Sequence, residues 1–252
     1  MITETFDDIT KAIINPDNFY GKQDKICDIC IVTFSNVVVS NILKDFSCTQ
    51  VAEIGSANGN IPIYTFTYRG NEFAFYMSLV TSPGAETCIE EAHCLIGATK
   101  YVMFGTCGAL DKEITAGKLI VPEQAYRDEG FSYHYVKTEN YIKIKNAEKT
   151  ARIFDELGLP YVMGKTWTTD GIYRETYGNM EKRKSEGCIA VEMECAGVQA
   201  VCDFRNLELY NFLISRDLLD APDWDRRILG RDEERNHQLL NFYIALDIAA
   251  RI

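Results

Sequence analysis

The sequence predicts a single α/β domain over residues 1–252, with a central mixed β-sheet flanked by helices. Short apolar runs of strand length alternate with helical patterns along the whole chain. No internal repeat and no Pro/Gly/Ser-rich linker divides it, and 252 residues is an ordinary length for one α/β domain. With 46% hydrophobic and 25% charged residues and no low-complexity tract, the composition is that of a chain able to bury a large core.

The elements follow in order. DICIVTF (28–34) reads as a short buried strand, followed by the apolar run VVVSNIL (37–43). VAEIGS (51–56), IYTFTYRG (63–70) and EFAFYMSLV (72–80) read as strands, with Gly70-Asn71 suited to a hairpin turn between the last two. Ser82-Pro83-Gly84 should break the chain. AETCIEEAHCLIGA (85–98) has helical spacing, with Cys88, Ala92 and Ile96 on one face. KYVMFGTCGAL (100–110) reads as a strand running into a glycine-punctuated loop, and KLIVPEQAYRDEG (118–130) as another strand. NAEKTARIFDELGL (146–159) is an amphipathic helix with Gly158 near its C-cap. The strand YVMGKTW leads into WTTDGIYRET. CIAVEME (188–194) is a strand entering the helix CAGVQAVCDF (195–204), LYNFLIS (209–215) is the last strand, and 232–252 is a terminal helix. Leu239, Phe242, Tyr243, Leu246 and Ala250 share one face of that helix.

Composition narrows the function classes. A net charge of −11 argues against nucleic-acid binding, which needs a basic stripe. MITETFDDITKAIINPDNF lacks the basic and apolar regions of a secretory signal. No run approaches the ~18 apolar residues of a membrane span. Nine cysteines, an odd number without an export signal, are expected as reduced thiols in a cytoplasmic protein. Cys27 and Cys30 form a lone CxxC with no second pair or nearby histidine, so a structural role is expected. The three histidines, His93, His134 and His237, are scattered, and no metal site is predicted.

In such a sheet the ligand lies beyond the carboxyl ends of strands. Gly105-Thr106-Cys107-Gly108-Ala109 lets backbone N–H groups approach an anion, or is simply a tight turn. Val191-Glu192-Met193-Glu194 points two carboxylates to opposite sides of an extended segment. One of them can accept bonds from two adjacent hydroxyls; otherwise both are surface acids. Asp217, after an apolar strand, is a partly desolvated acid or a helix N-cap. Arg127-Asp128-Glu129-Gly130 and Ser132-Tyr133-His134-Tyr135 gather polar and aromatic groups, where a lone histidine is expected to pack.

Together these segments resemble the uridine phosphorylases and the bacterial-type purine nucleoside phosphorylases. FGTCGALDKEITAGKLIVPEQAYRDEGFSYHY resembles the central block of that family, VEMECAGV its Val-Glu-Met-Glu ribose motif, and WTTDGIYRET its Ser/Thr-Asp-x-Phe-Tyr segment. The resemblance covers roughly residues 28 to 250. It implies phosphorolysis of a nucleoside to free base and ribose 1-phosphate in a phosphorylase/hydrolase-like fold. Inorganic phosphate is the co-substrate, no other cofactor is needed, and the assembly is a homodimer or hexamer. Thr106 and Gly105 would contact phosphate, and Met193 and Glu194 the ribose. Ile172, Tyr173 and Glu192 would line the base site, and Asp217 would act as the catalytic acid at the purine N7.

Departures from the family pattern qualify this. The Gly-Asp-Pro-x-x-Arg motif is replaced by Thr33-Phe34-Ser35-Asn36-Val37-Val38, and the arginine before the glycine turn by Met103. Two guanidiniums are missing from the phosphate site. Either Arg127 and Arg174 supply the charge, or water replaces phosphate and the chain is a nucleosidase. The uracil-reading Gln-x-Arg pair is not evident, which with Asp217 favours purines over uridine. The rival outside enzymes is a sensor that binds nucleoside or base without turnover.

Overall fold

The computed structural model describes residues 2–116, 118–137, 139–227 and 232–252, with backbone only over 232–236. The strands are β1 (Ile29–Thr33), β2 (Thr49–Ile54), β3 (Ile61–Tyr68), β4 (Asn71–Met77), β5 (Lys100–Ala109), β6 (Leu119–Asp128), β7 (Tyr141–Lys143), β8 (Tyr161–Thr169), β9 (Cys188–Glu192) and β10 (Glu208–Leu218). The helices are α1 (Asp17–Tyr20), α2 (Asn36–Asp45), α3 (Ser82–Ile96), α4 (Lys112–Thr115), α5 (Ala147–Leu157), α6 (Tyr177–Ser185), α7 (Cys195–Arg205) and α8 (Asp232–Ala249).

The sheet is mixed, as expected, but it also closes on itself. β5 runs parallel to β1 along Lys100–Met103 and parallel to β10 from Lys100 to Ala109. At its far end Gly108 and Ala109 pair antiparallel with Val191 and Ala190 of β9. Since β10 pairs with β6, β6 with β8 and β8 with β9, these five strands make a closed ring. β1 to β4 form an open wing. Helices cover both faces. Val38 and Ile42 of α2 and Phe242 and Leu246 of α8 pack with Phe66, Phe73 and Phe104 in one core cluster. Ala85 and Ile89 of α3 and Val198 and Cys202 of α7 pack with Cys30, Tyr76 and Tyr101 in a second.

Several local expectations are corrected. Ser82-Pro83-Gly84 starts α3, because proline's fixed φ and missing N–H suit a first helical turn. The hairpin turn is Arg69-Gly70, at φ 49° and 80°, with Tyr68 paired to Asn71. Two left-handed residues match the twist of the flanking strands, which shifts the turn by one from Gly70-Asn71. The glycine-rich segment 105–109 is strand, not loop. A side chain at Gly108 would lie 2.4 Å from Leu219 Cδ1, so glycine serves close strand packing there. Asp217 also lies in a strand, opposite Gly108, and caps no helix. α6 gave no periodic signal, since YGNMEKRKS buries only Met180 and Arg183.

All nine cysteines are free, and both Cys27 and Cys30 are buried. Among the described residues no helix is long and apolar enough to cross a membrane. None of their His, Cys, Asp and Glu side chains form a group placed to hold a metal.

Candidate active site

A cavity of about 580 Å³ opens where late residues of β5, β9 and β10 meet the segment after β8. Gly105, Thr106, Cys107 and Gly108 form one wall, and Val191 to Glu194 another. Ile172, Tyr173, Glu175, Tyr177 and Met180 come from the segment after β8 and from α6. Arg216, Asp217, Leu219 and Trp224 come from the end of β10 and the chain beyond it. Phe34 and Val80 complete the lining.

The two acids of the Val-Glu-Met-Glu segment have different fates. Glu192 is buried, and its Oε1 accepts from the hydroxyls of Thr166 (3.1 Å) and Thr168. Its Oε2 accepts from the N–H groups of Glu194 (2.7 Å) and Cys195 (2.6 Å). A carboxylate at the first turn of α7 satisfies donors that the helix leaves unpaired and meets the positive end of its dipole. Expected at the base, Glu192 is instead consumed in holding the β9–α7 junction.

Glu194 Oε1 accepts from Thr81 N–H at 2.7 Å, and the side chain lines the cavity. Burial raises its pKa to about 7, helped by the charge of Glu192 and opposed by backbone N–H groups of Thr81 and Met193. The start of α3 positions this pair: Ser82 Oγ donates to Met193 O at 3.0 Å. Thr81 sits at φ 71°, ψ 156°, a conformation that suits glycine. That strained geometry is what aims its N–H at Glu194. Behind it, the buried Glu86 carboxyl fills the notch left by Gly197 of α7, where a Cβ would lie 1.3 Å from Oε1. Burial holds Glu86 well above the ordinary carboxyl range.

At the other end Asp217 Oδ2 accepts from Trp224 Nε1 at 2.7 Å. Burial raises the Asp217 pKa, while the Trp224 bond and the nearby Arg227 oppose the rise. Glu175, which follows the 3-10 turn Ile172–Arg174, is pushed to about 7 by burial and then by the charge of Asp217.

Of the residues singled out from sequence, Gly105, Thr106, Ile172, Tyr173, Glu192, Met193, Glu194 and Asp217 share this cavity. Arg127 and Arg174 do not line it. Arg127 is buried in its own loop, donating from Nε to Ser132 Oγ (2.7 Å) and from its Nη atoms to the carbonyls of Glu139 and Val136. Its guanidinium stacks 3.8 Å from the centre of the Tyr133 ring. Arg174 is solvent-exposed. Among the described residues Arg216 is the one basic side chain on the wall, against the acids Glu175, Glu192, Glu194 and Asp217. Sequence reasoning missed Arg216, Glu175 and Trp224. All three stood inside segments that the sequence singles out, Glu175 in WTTDGIYRET and the other two in the loop SRDLLDAPDWD, but only the tertiary arrangement shows which members of a polar loop turn inward.

The cavity thus offers Glu194 and a methionine at one end, backbone and a threonine hydroxyl along its floor, and the half-buried acids Glu175 and Asp217 at the other end. The chain is 28% identical over 174 residues to a purine nucleoside phosphorylase DeoD-type of Colwellia psychrerythraea, covering 65% of this chain and 69% of that protein. It is 24% identical over 219 residues to the enzyme of the same name from Thermoanaerobacter sp., covering 84% and 88%. It is also 25% identical over 169 residues to the uncharacterized protein R802 of Acanthamoeba polyphaga mimivirus, covering 66% of each. The fold matches the structure of a futalosine hydrolase mutant of Helicobacter pylori with a TM-score of 0.72 and 16% identity, covering 90% of this chain and all of that one. The family description "Phosphorylase superfamily" matches residues 28–245, and this chain belongs to that superfamily.

Proposed function

We propose that this protein cleaves the N-glycosidic bond of purine nucleosides, with water as the attacking group. One observation carries the cleavage reading: Met193 and Glu194, the Gly105–Gly108 strand and Asp217 line a single cavity. Ionised Glu194 accepts hydrogen bonds from the two ribose hydroxyls, and Met193 supports the apolar face of the sugar. Holding the sugar fixes the anomeric carbon in line between base and nucleophile. The C–N bond breaks ahead of nucleophile attack, and its electron pair leaves with the base. A proton held at Asp217 passes to N7 of the purine. Water adds to the anomeric carbon and releases its proton to solvent. The net-acidic wall stabilises the positive charge that develops on the sugar.

The choice of water rests on charge. Phosphate is multiply anionic and needs paired guanidiniums. Met103 and Val38 stand where the resembling enzymes carry arginines, and the wall holds one buried arginine against four acids. The second reading is phosphorolysis to ribose 1-phosphate. Its support is the exposed Thr106 hydroxyl on the cavity floor and the names of the relatives, several of them phosphorylases. Incubating the protein with adenosine and with inosine, with and without phosphate, separates the two. Free ribose formed at the same rate without phosphate supports hydrolysis. Strict dependence on phosphate replaces it with phosphorolysis, and no release of base from any nucleoside overturns the cleavage reading.

A further inference from the structure

We propose that Glu86 is a positioning residue for the sugar end of the cavity: a neutral carboxyl wedged between α3 and α7 that holds the first turn of α3 against Met193 and Glu194. The role rests on the nucleoside reading above, and Glu86 itself is not among the lining residues.

Geometry is the first support. Gly197 is the third residue of α7. A Cβ there would lie 1.3 Å from Glu86 Oε1, 2.5 Å from Glu86 Cδ and 3.0 Å from Ser82 Cβ. The Glu86 carboxyl therefore occupies the space that a side chain at 197 would need. Ser82 stands one turn before Glu86, so both lie on the face of α3 turned to α7. That same turn makes the two contacts to the sugar end, Ser82 Oγ to Met193 O at 3.0 Å and Thr81 N–H to Glu194 Oε1 at 2.7 Å. Thr81 holds its unfavourable φ of 71° only while the packing around it is fixed. The contact among residues 82, 86 and 197 sets how closely α3 approaches α7. A shift there moves the Thr81 N–H away from Glu194.

The state of the carboxyl is the second support. Glu86 has no exposed surface, and neither of its oxygens has a hydrogen-bond partner among the described residues. An ionised carboxylate would lose its hydration there with nothing in return, so the group is neutral. The charged groups bearing on it are Glu129 after β6, Asp170 after β8, Glu90 on its own helix and Glu194 at the start of α7, all acidic. Arg205 is engaged by Glu90, Nε to Oε1 at 2.7 Å. Tyr135 and Cys202 also feel the charge of Glu86, and burial raises their pKa values, so both stay neutral. Burial first, and then the four acids, holds Glu86 well above the ordinary 4.5. Its proton is part of the packing between the helices.

Two measurements test the wedge, and the first needs no substrate. A carboxyl kept neutral by folding makes stability greatest below the unfolded value of 4.5 and lower as pH rises toward the raised folded value. Over about pH 5.5–7.5 the unfolding equilibrium constant of the wild type should rise about tenfold per pH unit more steeply than that of Glu86→Gln, which cannot ionise.

The second measurement reads the sugar end. Binding of adenosine and of adenine is followed by calorimetry at pH 7 in an Asp217→Asn background, where turnover is suppressed. Gly197→Ala should weaken adenosine at least about tenfold, through a misplaced Glu194, and adenine by less than about threefold. Glu86→Ala/Gly197→Ala removes the atoms that the new methyl meets and should return adenosine affinity to within about threefold of the parent. Glu86→Gln keeps the wedge and should also bind within about threefold. Circular dichroism and thermal melting check folding, and if Gly197→Ala alone does not fold, the double variant decides. Equal pH dependence in the wild type and Glu86→Gln, equal losses for adenosine and adenine, or a double variant that is unfolded or binds adenosine no better than Gly197→Ala overturns the inference. The pH difference and a rescue of the melting temperature in the double variant, with adenosine bound by no variant, support the wedge while overturning the nucleoside reading.

Discussion

The two ends of the cavity use the same chemical group in opposite ways. At the sugar end, the acids Glu192 and Glu194 are fixed by a strand–helix junction and by the first turn of α3. Four protein donors hold Glu192, and Glu194 differs from it by keeping most of its accepting capacity for a ligand. At the base end, Glu175 follows a short 3-10 turn, and Asp217 is tied to Trp224, a largely exposed side chain on the segment after β10. On the proposed reading, the ribose, common to all nucleosides, would be met by rigid elements. The base, which varies, would be met by segments whose sequence can change without disturbing the ring of strands. The difference teaches that a carboxylate's role is set by how many of its lone pairs the protein has already filled.

Four experiments break or sharpen this contrast. Asp217→Asn should lower turnover on purine nucleosides by about 10²- to 10⁴-fold, since an amide cannot pass on a proton. Equilibrium binding of a nucleoside should survive, and unchanged turnover would remove Asp217 from the chemistry. Glu192→Ala should act on stability instead. It strands two threonine hydroxyls and two helical N–H groups, which should lower the unfolding free energy by about 3–5 kcal/mol in urea titration. Glu194→Ala, with fewer protein bonds to lose, should cost about 1 kcal/mol or less on the same measure while abolishing sugar recognition. Equal losses of stability in the two variants would erase the proposed division between anchor and ligand acceptor.

The third experiment is a pH profile of kcat/KM. Glu194 must be ionised to accept ribose hydroxyls, and its pKa lies at about 7. Activity should therefore rise about tenfold per pH unit below that value. Asp217 must keep a proton to pass on, and burial raises its pKa, so activity should fall on the alkaline side. A bell-shaped profile is expected, and Asp217→Asn should remove its alkaline limb. A profile flat from acid to neutral pH would separate Glu194 from sugar binding. The smallest effect concerns the strained residue that aims at Glu194. Thr81→Gly relieves an unfavourable φ of 71° and keeps the N–H that bonds Glu194. Stability should rise by about 1 kcal/mol with activity unchanged. A loss of stability would show that the Thr81 side chain contributes more than its backbone strain removes.

Much of this architecture was legible in the chain because burial has a period. Apolar runs such as Ile29–Thr33 and the helical spacing of Cys88, Ala92 and Ile96 follow from one-sided or two-sided packing. The short Val-Glu-Met-Glu segment and the glycines at 105 and 108 were legible because few residue types allow such close approach beside a ligand. Sequence spacing could not show that Glu192 is saturated and Glu194 open, since both belong to one four-residue stretch. Nor could it show that Arg127 folds back onto Ser132 and Tyr133 while Arg216 reaches the wall. Local order along the chain determined the strands, the helices and the pool of reactive groups. Closure of β5 against β9 and β10 decided which of those groups share a cavity, because hydrogen-bond saturation and desolvation depend on neighbours distant in sequence.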